Sequence, residues 1–428
     1  MEMTNLVLSP EQQDAVDQCV DMSKRIVCVT GQAGTGKTTI LKNAYDTLFD
    51  TLCNEYGIEP SQYDHENYSS MPFSIRLAAP TGRAAKRIEE ATGIRAMTIH
   101  RMMRFSMPED DQEKGLPAHT KHNPLPYTAI FIDEASMLTE ELRRQVIDAM
   151  LKGCVIRFFG DINQLPPIGS ASPFAKDLKR FPSVQLTKNY RSTDGIIDLA
   201  DRVIKNKMPM SNDQVRIERI ATTQTQGFLL KAATEIDFTS DVNQIISPTN
   251  KTKHGTETIN RMIQQRFNPE QEKIQVFHRD RGTGQLITRT FKRGDKVLWT
   301  KNDYNVNIMN GTLGRVMDFD QETGHIILNI EGSDIEIPSQ IETFNEFTKE
   351  RITYDPRHYL DLGYAISTHK AQGSQFDLVM YVLSRSRAAT RQNVYTGVTR
   401  AKNKLIIVNV SGALAHALDN PVDLLKAN

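Results

Sequence analysis

The sequence predicts an α/β protein made of two parallel-sheet domains, the second carrying an inserted small β-barrel. Three observations carry this reading. Short apolar runs alternate with helix-spaced segments near the start and again near the end of the chain. One of the first apolar runs ends in a Gly-rich turn that opens a helix. From about residue 284 the texture changes to short strands split by Gly and Asp turns. Strand–helix alternation means a parallel sheet with helices on its faces. Runs of short strands mean an antiparallel barrel or sandwich.

Taken in order, "RIVCVT" (25–30) is an apolar strand, and "TTILKNAYDTLF" (38–49) has helical spacing of Ile40, Leu41, Ala44 and Leu48. Then follow "SIRLAAP" (74–80), "GRAAKRIEEAT" (82–92), "TAIFIDE" (128–134), "EELRRQVIDAML" (140–151), "CVIRFFGD" (154–161) and "VQLT" (184–187). Runs such as "AIFI" suit strands buried on both faces. Residues 50–73 are polar and turn-rich and read as a surface insertion. Residues 101–126 carry charge, Gly and Pro and read as a small protruding hairpin, a length of loop that tends to be functional. The alternation resumes at "NQIISPTN" (243–250) and "HGTETINRMIQQRF" (254–267). It returns after the barrel with "YLDLGYAISTHKAQG", "FDLVMYVLS" and "VYTGVTRAKNKLIIV". The domain boundaries expected are 1–192 for the first domain, 193–283 with 351–428 for the second, and 284–350 for the barrel.

Composition narrows the class. With 428 residues, 39% apolar and 24% charged, the chain suits roughly two to four globular domains. No apolar run reaches the length of a membrane helix, and the N-terminus lacks a signal-peptide pattern. Cys19, Cys28, Cys53 and Cys154 show no metal-ligand spacing, so a reduced, cytosol-like compartment is expected. A formal net charge of zero argues against wholesale coating of nucleic acid but leaves room for a local basic groove.

The chemistry concentrates in a few motifs. "GQAGTGKTT" (31–39) matches G-x-x-x-x-G-K-[ST] between a strand and a helix. Gly34 and Gly36 let backbone N–H groups close around phosphates, Lys37 reaches the terminal phosphates, and Thr38, beside Thr39, ligates Mg²⁺. "FIDEAS" (131–136) ends a strand with two acids. Asp133 is assigned to the metal shell and Glu134 to the base that orients attacking water. Gln164, in "GDINQLPP", is a neutral side chain suited to sensing a γ-phosphate. The second α/β domain has no P-loop of its own. One reason for its presence is to supply positive charge to the first domain's nucleotide.

Nine segments, in order, resemble the superfamily 1 helicases: "LSPEQQDAV", "GQAGTGKTT", "APTGRAA", "TIH", "FIDEAS", "GDINQLPP", "NYRS", "STHKAQGSQFD" and "YTGVTRA". The forms "TIH", "DEAS" and "THKAQGS" are most similar to the branch of RecD and the phage protein Dda. The resemblance spans residues 8–401 and implies two RecA-like domains, an SH3-like barrel and a strand-separating pin in the 101–126 insertion. It implies that Gln12 reads adenine, that Tyr190 stacks on the base, and that Arg191 and Arg400 contact the γ-phosphate. Guanidinium groups suit that contact because they stay charged and bond oxygens in pairs. It also implies strand contacts by Pro80, Thr81 and Arg83, by Thr98 and His100, and by Thr368, His369 and Lys370. Such hydroxyls, backbone amides and a lysine are sequence-blind phosphate contacts. Gln375 replaces the acid common in superfamily 1 and is left out of the site.

Two aromatic assignments stay open. Trp299 either stacks a base or fills the barrel core, with the core favoured because Val297 shares its face. Phe105 either stacks at the fork as the pin aromatic or packs with Met102 and Met103. The expected function is an ATP- and Mg²⁺-dependent DNA helicase moving 5′→3′ on single strands, with forked duplex as substrate. The expected form is a monomer in a bacterial or phage-infected cytosol, with a single-strand-binding or replication protein as partner. Alternatives are a P-loop kinase or GTPase, a translocase that strips proteins without unwinding, and an RNA helicase.

Overall fold

The structure is a computed structural model describing residues 8–63, 71–105, 115–167, 171–190, 195–270, 272–279, 284–303, 305–345 and 350–424. The chain divides into two units, Met1–Thr193 with Asp423–Asn428, and Asp194–Val422.

In the first unit the order is α1 (Pro10–Val20), β1 (Ile26–Gly31), α2 (Lys37–Tyr56), β2 (Ile75–Ala79), α3 (Gly82–Thr92), β3 (Ala96–Thr98) and α4 (Ile99–Met102). It continues with β4 (Ala129–Ile132), α5 (Glu140–Asp148), β5 (Val155–Gly160), α6 (Pro173–Arg180) and β6 (Ser183–Leu186). The six strands form one parallel sheet in the order β3-β2-β4-β5-β1-β6. β1, β2, β4 and β5 are buried along their whole length, as strands covered on both faces must be. Ile40, Leu41, Ala44 and Leu48 pack α2 on one face, with Ala15, Ala84 and Ile88 of α1 and α3. Ile99, Met102, Val146 and Phe174 cover the other.

Local signals set the helix ends. Ser9 caps α1 in a capping box with Gln12, and Pro10 opens the helix. The buried Arg157 of β5 holds the far end of α1, donating to the carbonyls of Cys19, Asp21 and Lys24. Thr81 caps α3, and Gly93 closes it in the left-handed conformation.

Residues 50–73 correct the sequence expectation of a surface insertion. Helix α2 runs on to Tyr56, and Leu52, Cys53, Tyr63 and Phe73 lie in the core. The Tyr63 ring meets Phe49 edge-on at 5.0 Å, and its hydroxyl donates to the Phe73 carbonyl at 2.9 Å. The polar residues between these anchors hid four apolar ones whose spacing follows no single period.

The second unit starts with α7 (Gly195–Ile204), β7 (Val215–Ile220), α8 (Thr225–Glu235), β8 (Asn243–Ser247) and α9 (Thr256–Phe267). An antiparallel stretch follows: β9 (Lys273–Arg279), β10 (Leu286–Lys292), β11 (Lys296–Trp299), β12 (Leu313–Phe319), β13 (Ile326–Ile330), β14 (Ser333–Ile337), β15 (Ile341–Asn345), β16 (Glu350–Tyr354) and β17 (Leu360–Leu362). The unit ends with β18 (Ala365–Ser367), β19 (Phe376–Leu383), α10 (Arg391–Val398), β20 (Ala401–Val410) and α11 (Ala413–Leu418). β18-β8-β19-β20-β7 form a parallel sheet. β14-β13-β12-β11-β17 form an antiparallel one, flanked by the hairpins β9–β10 and β15–β16.

The antiparallel part therefore begins before residue 284 and ends beyond 350. Its core joins Ile274, Val276 and Phe291 of the first hairpin to Val297, Trp299, Ile326 and Leu360. Trp299 is buried at 1% exposure, which settles its place in the core. A buried carboxylate ties this part to α9: Asp295 accepts from Gln264, Asn268 and the Tyr364 hydroxyl and from the Lys292 backbone. A buried charge of this kind is tolerable only when so bonded.

Candidate ATP and strand-binding site

All six strands of the first unit point the same way, so every loop after a strand opens on one edge of the sheet. In open α/β sheets this carboxyl edge is where ligands bind. The P-loop follows β1 there. Gly34 and Gly36 adopt φ of 86° and 84°, which L side chains adopt only with strain. A Cβ on Gly36 would also sit 2.6 Å from the Gln12 side-chain nitrogen. Lys37 Nζ donates to the Gly31 carbonyl at 2.7 Å and the Gln32 carbonyl at 3.0 Å, folding back along the loop. Thr38 and Thr39 occupy the first turn of α2, where backbone N–H groups lack helical partners.

Gln12 lies beside this loop: its amide nitrogen donates to the Thr35 carbonyl at 3.4 Å, and its oxygen accepts from Ser9 N at 3.0 Å. The segment after β6 is strapped to the same loop. Tyr190 N donates to the Gly34 carbonyl at 3.1 Å, and the Asn189 amide donates to the Ala33 carbonyl at 3.0 Å. The Tyr190 ring is 44% exposed, with the Lys188 ammonium 5.3 Å from its centroid. The ring therefore presents a flat, exposed face beside the P-loop. Arg191 lies outside the described residues.

Asp133 and Glu134 follow β4, next to β2 in the sheet. Asp133 accepts from Glu134 N at 2.8 Å. Burial pushes the Asp133 carboxyl up to about 6, the Glu134 charge adds to this, and Lys37 and Arg87 oppose it. Glu134 is held at φ 52°, a left-handed conformation that costs a non-glycine residue roughly 1–2 kcal/mol. The Arg87 guanidinium of α3 stands 4.0 Å from one Glu134 oxygen. A cavity lined by Thr38, Arg87, Asp133 and Glu134 lies between the P-loop helix and the acid pair. These donors fit a hard divalent cation: a threonine hydroxyl and a carboxylate that burial makes costly to charge alone.

The second Glu134 oxygen, Gln164 Oε1, His100 Nδ1 and Thr368 Oγ1 are buried without a hydrogen-bond partner among the described residues. Folded proteins leave few such atoms, because each costs about 1–3 kcal/mol. Four of the residues singled out from sequence carry one each. Three of these lie in the first unit, all on the carboxyl edge of its sheet.

The strand-contact candidates of the first unit sit at the ends of adjacent strands. Pro80, Thr81 and Arg83 follow β2, and Thr98 and His100 follow its neighbour β3. Thr81 and Thr98 spend their hydroxyls capping α3 and α4, accepting from Ala84 N and Arg101 N. Phe105 lies against the His100 ring at 4.7 Å and beside Met102 and Met103, the packing alternative of the two considered. Residues 103–105 pair antiparallel with 117–119, so the two arms of the insertion are bonded together. Residues 106–114 lie outside the described residues.

In the second unit Thr368, His369 and Lys370 follow β18. Thr368 N donates to the Ser247 carbonyl at 3.2 Å, burial lowers the His369 pKa, and Lys370 pairs with Asp361 at 2.7 Å. Arg400 is only 3% exposed. Its guanidinium donates to the carbonyls of Thr396 at 2.9 Å and Ser374 at 3.3 Å, and to the Thr399 hydroxyl at 3.1 Å. Ser374 belongs to the same loop as Thr368–Lys370, so Arg400 is bonded to the loop that carries those candidates. Lys402, two residues on, lies in β20 and is exposed.

Sequence reading missed Arg87, Asn189 and the Glu11–Thr187 contact that ties α1 to the end of β6. Two of these had a signal: Arg87 lies one helical turn after Arg83 on the same face, and Asn189 opens the "NYRS" segment.

The AAA domain family matches residues 7–232, and the UvrD-like helicase C-terminal domain matches residues 362–408. The chain is 29% identical over 417 residues to the ATP-dependent RecD2 DNA helicase of Deinococcus radiodurans, covering 95% of this chain and 50% of that protein. It is 24% identical to the RecBCD enzyme subunit RecD of Mycolicibacterium smegmatis, covering 96% and 72%. The chain thus spans half the length of the first of these relatives. Among solved structures, one of Pif1 helicases at forked DNA aligns with a TM-score of 0.58 at 20% identity, covering 94% of this chain and 92% of that one. Bacteroides Pif1 with ADP-AlF3 and single-stranded DNA aligns at 0.56 and 21%, with the same coverage. These likenesses show the fold: α/β, with the parallel-sheet core called RecA-like. Since its profile matches more than half of the sequence, the chain belongs to the AAA domain family, in the company of RecD-type helicases of superfamily 1.

Proposed function

We propose that this chain is an ATP-dependent DNA helicase that moves along single-stranded DNA and separates forked duplex. The observation that carries the reading is the shared sheet edge. P-loop, acid pair and Gln164 open on the same edge as Thr81, Arg83, Thr98 and His100, so nucleotide and strand sites lie a few strands apart on one rigid sheet. The RecD relatives support it, being named as a DNA helicase and as a RecBCD subunit.

In this reading the P-loop amides and Lys37 bind the phosphates, Gln12 and Tyr190 hold the base, and Thr38 and Asp133 hold Mg²⁺. The cation's charge offsets the negative charge that builds up on the transferring phosphate. Glu134 takes the proton of the attacking water, and Gln164 senses the terminal phosphate. Arg191 and Arg400 add positive charge at the transition state; for Arg400 this requires release from Thr396 and Ser374. Alternate gripping by Pro80–Arg83, Thr98 and His100 on one unit and Thr368–Lys370 on the other advances the strand. The antiparallel insertion serves as an SH3-like barrel and residues 101–126 as the pin. The direction is 5′→3′, and the unit of action is a monomer in the cytosol, loaded or assisted by a single-strand-binding or replication protein.

The test is unwinding of duplexes with a 5′ or a 3′ single-stranded tail. Strand separation of the 5′-tailed duplex with ATP and Mg²⁺ is expected. ATPase stimulation without separation would replace the helicase by a protein-stripping translocase. Activity confined to RNA tails would move the substrate to RNA, and no stimulation by either strand would leave a P-loop kinase or GTPase.

A further inference from the structure

We propose that Glu11 is a positioning residue that holds the segment carrying Tyr190 in place, and so sets how strongly the base of a nucleotide is bound. That Tyr190 takes the base rests on the reading above.

Three segments of the first unit form a closed ring of hydrogen bonds. The first turn of α1 supplies Glu11 and Gln12. The Gln12 amide donates to the Thr35 carbonyl of the P-loop at 3.4 Å. The P-loop accepts in turn from the segment after β6. Asn189 donates to the Ala33 carbonyl at 3.0 Å, and Tyr190 N to the Gly34 carbonyl at 3.1 Å. Glu11 closes the ring. One of its carboxylate oxygens accepts from the Thr187 hydroxyl at 2.5 Å. The other accepts from Thr187 N at 2.9 Å and Lys188 N at 3.4 Å.

The bonds from Asn189 and Tyr190 end on the phosphate loop itself, whereas those to Glu11 end on a helix. β6 stops at Leu186, so Thr187 and Lys188 are the first two residues past the sheet. Both of their amides meet one carboxylate, which sets the path of the two residues that follow. Bonds to a charged acceptor are roughly twice as strong as neutral ones. The Thr187 hydroxyl and amide hold the Glu11 carboxyl below the usual carboxylate range, so it carries that charge at neutral pH. An exposed ring needs such support. A base that stacks on a ring already in place does not also have to order the segment that carries it. The Glu11–Thr187 contact lies at the surface, whereas α1 reaches the core through Ala15, Val16 and Cys19. Truncating Glu11 therefore removes the latch without hollowing the core.

The test measures binding of ADP and of inorganic pyrophosphate, each with Mg²⁺, by titration calorimetry. Wild type, Glu11→Ala, Glu11→Gln and Tyr190→Ala are compared. Glu11→Ala should weaken ADP binding about fivefold and leave pyrophosphate binding within about twofold of wild type. In ATP hydrolysis the same variant should raise KM with kcat little changed. Glu11→Gln keeps an acceptor oxygen without the charge and should fall between wild type and Glu11→Ala. Adding Glu11→Ala to Tyr190→Ala should bring no further loss, showing that the effect passes through the ring. Equal ADP affinity in Glu11→Ala and wild type would overturn the proposal. So would equal losses of ADP and pyrophosphate binding, the mark of a merely structural role. An unchanged ADP affinity in Tyr190→Ala would remove the base platform, and the proposal with it. Wild type without stimulation by DNA would count against the helicase reading, while the ADP comparison would still decide the role of Glu11.

Discussion

Single residues carry the most direct expectations. Lys37→Ala should abolish hydrolysis, because no other cation of the P-loop reaches the terminal phosphates. Arg400→Ala should lower kcat by orders of magnitude and leave nucleotide affinity nearly intact, since a finger acts mainly on the transition state. Equal ATPase rates in Arg400→Ala and wild type would remove it from the mechanism. Asp133 links chemistry to stability. Burial raises its pKa in the folded state to about 6, above the ordinary carboxylate value. Its contribution to stability is therefore fully present at acid pH below the unfolded-state pKa and is lost as pH rises through the folded value. Above that range the apo protein bears the cost of a buried charge. Asp133→Asn should melt higher than wild type at pH 7.5 in chelator, with the gap narrowing below about pH 6 and closing only towards the ordinary carboxylate value of 3.8. The same variant should lose Mg²⁺-dependent hydrolysis. A lower melting point for the variant at pH 7.5 would contradict this account.

At the scale of elements, the turn between β1 and α2 depends on Gly36. Its φ of 84° strains any L side chain, and a methyl group there would also displace the Gln12 amide from 2.6 Å. Gly36→Ala should destabilise the first unit by about 1–3 kcal/mol, read as a lower denaturation midpoint, and weaken nucleotide binding with it. The antiparallel insertion has its own anchor in Asp295, which receives four hydrogen bonds. Asp295→Ala removes the acceptor of the Tyr364 hydroxyl and one of the two acceptors of each of Gln264 and Asn268, and should cost about 3–5 kcal/mol. Hydrogen exchange should then rise in α9 and in β10–β11 while the first unit keeps its protection. Much of this level was legible beforehand. The strands and helices of the parallel sheets follow apolar runs and helical spacing, both local properties. The stretch 50–73 was misread because Tyr63 and Phe73 are anchored by distant partners rather than by periodicity. The antiparallel part was placed too short because β9 and β17 are recognisable only by their pairing with β10 and β11.

For the whole molecule, the helicase proposed here requires that its nucleotide and strand sites exchange free energy for hydrolysis to do mechanical work. The tailed-duplex experiment tests that exchange directly. Hydrolysis that rises with single-stranded DNA and falls away with Lys37→Ala is the expected behaviour. The P-loop, the acid pair and the order of nine motifs could be read from sequence because each is a short run whose chemistry depends on its immediate neighbours: amides at a helix start, carboxylates at a strand end. Only the tertiary structure decided which side chains meet. It put Arg87 opposite Glu134, tied Asn189 and Tyr190 to the phosphate loop, enclosed Trp299 in a core and bonded Arg400 to the loop of Ser374. It also left four candidate side chains with buried atoms lacking a partner among the described residues. Contacts and burial depend on segments far apart in the chain, and no local pattern encodes the distance between them.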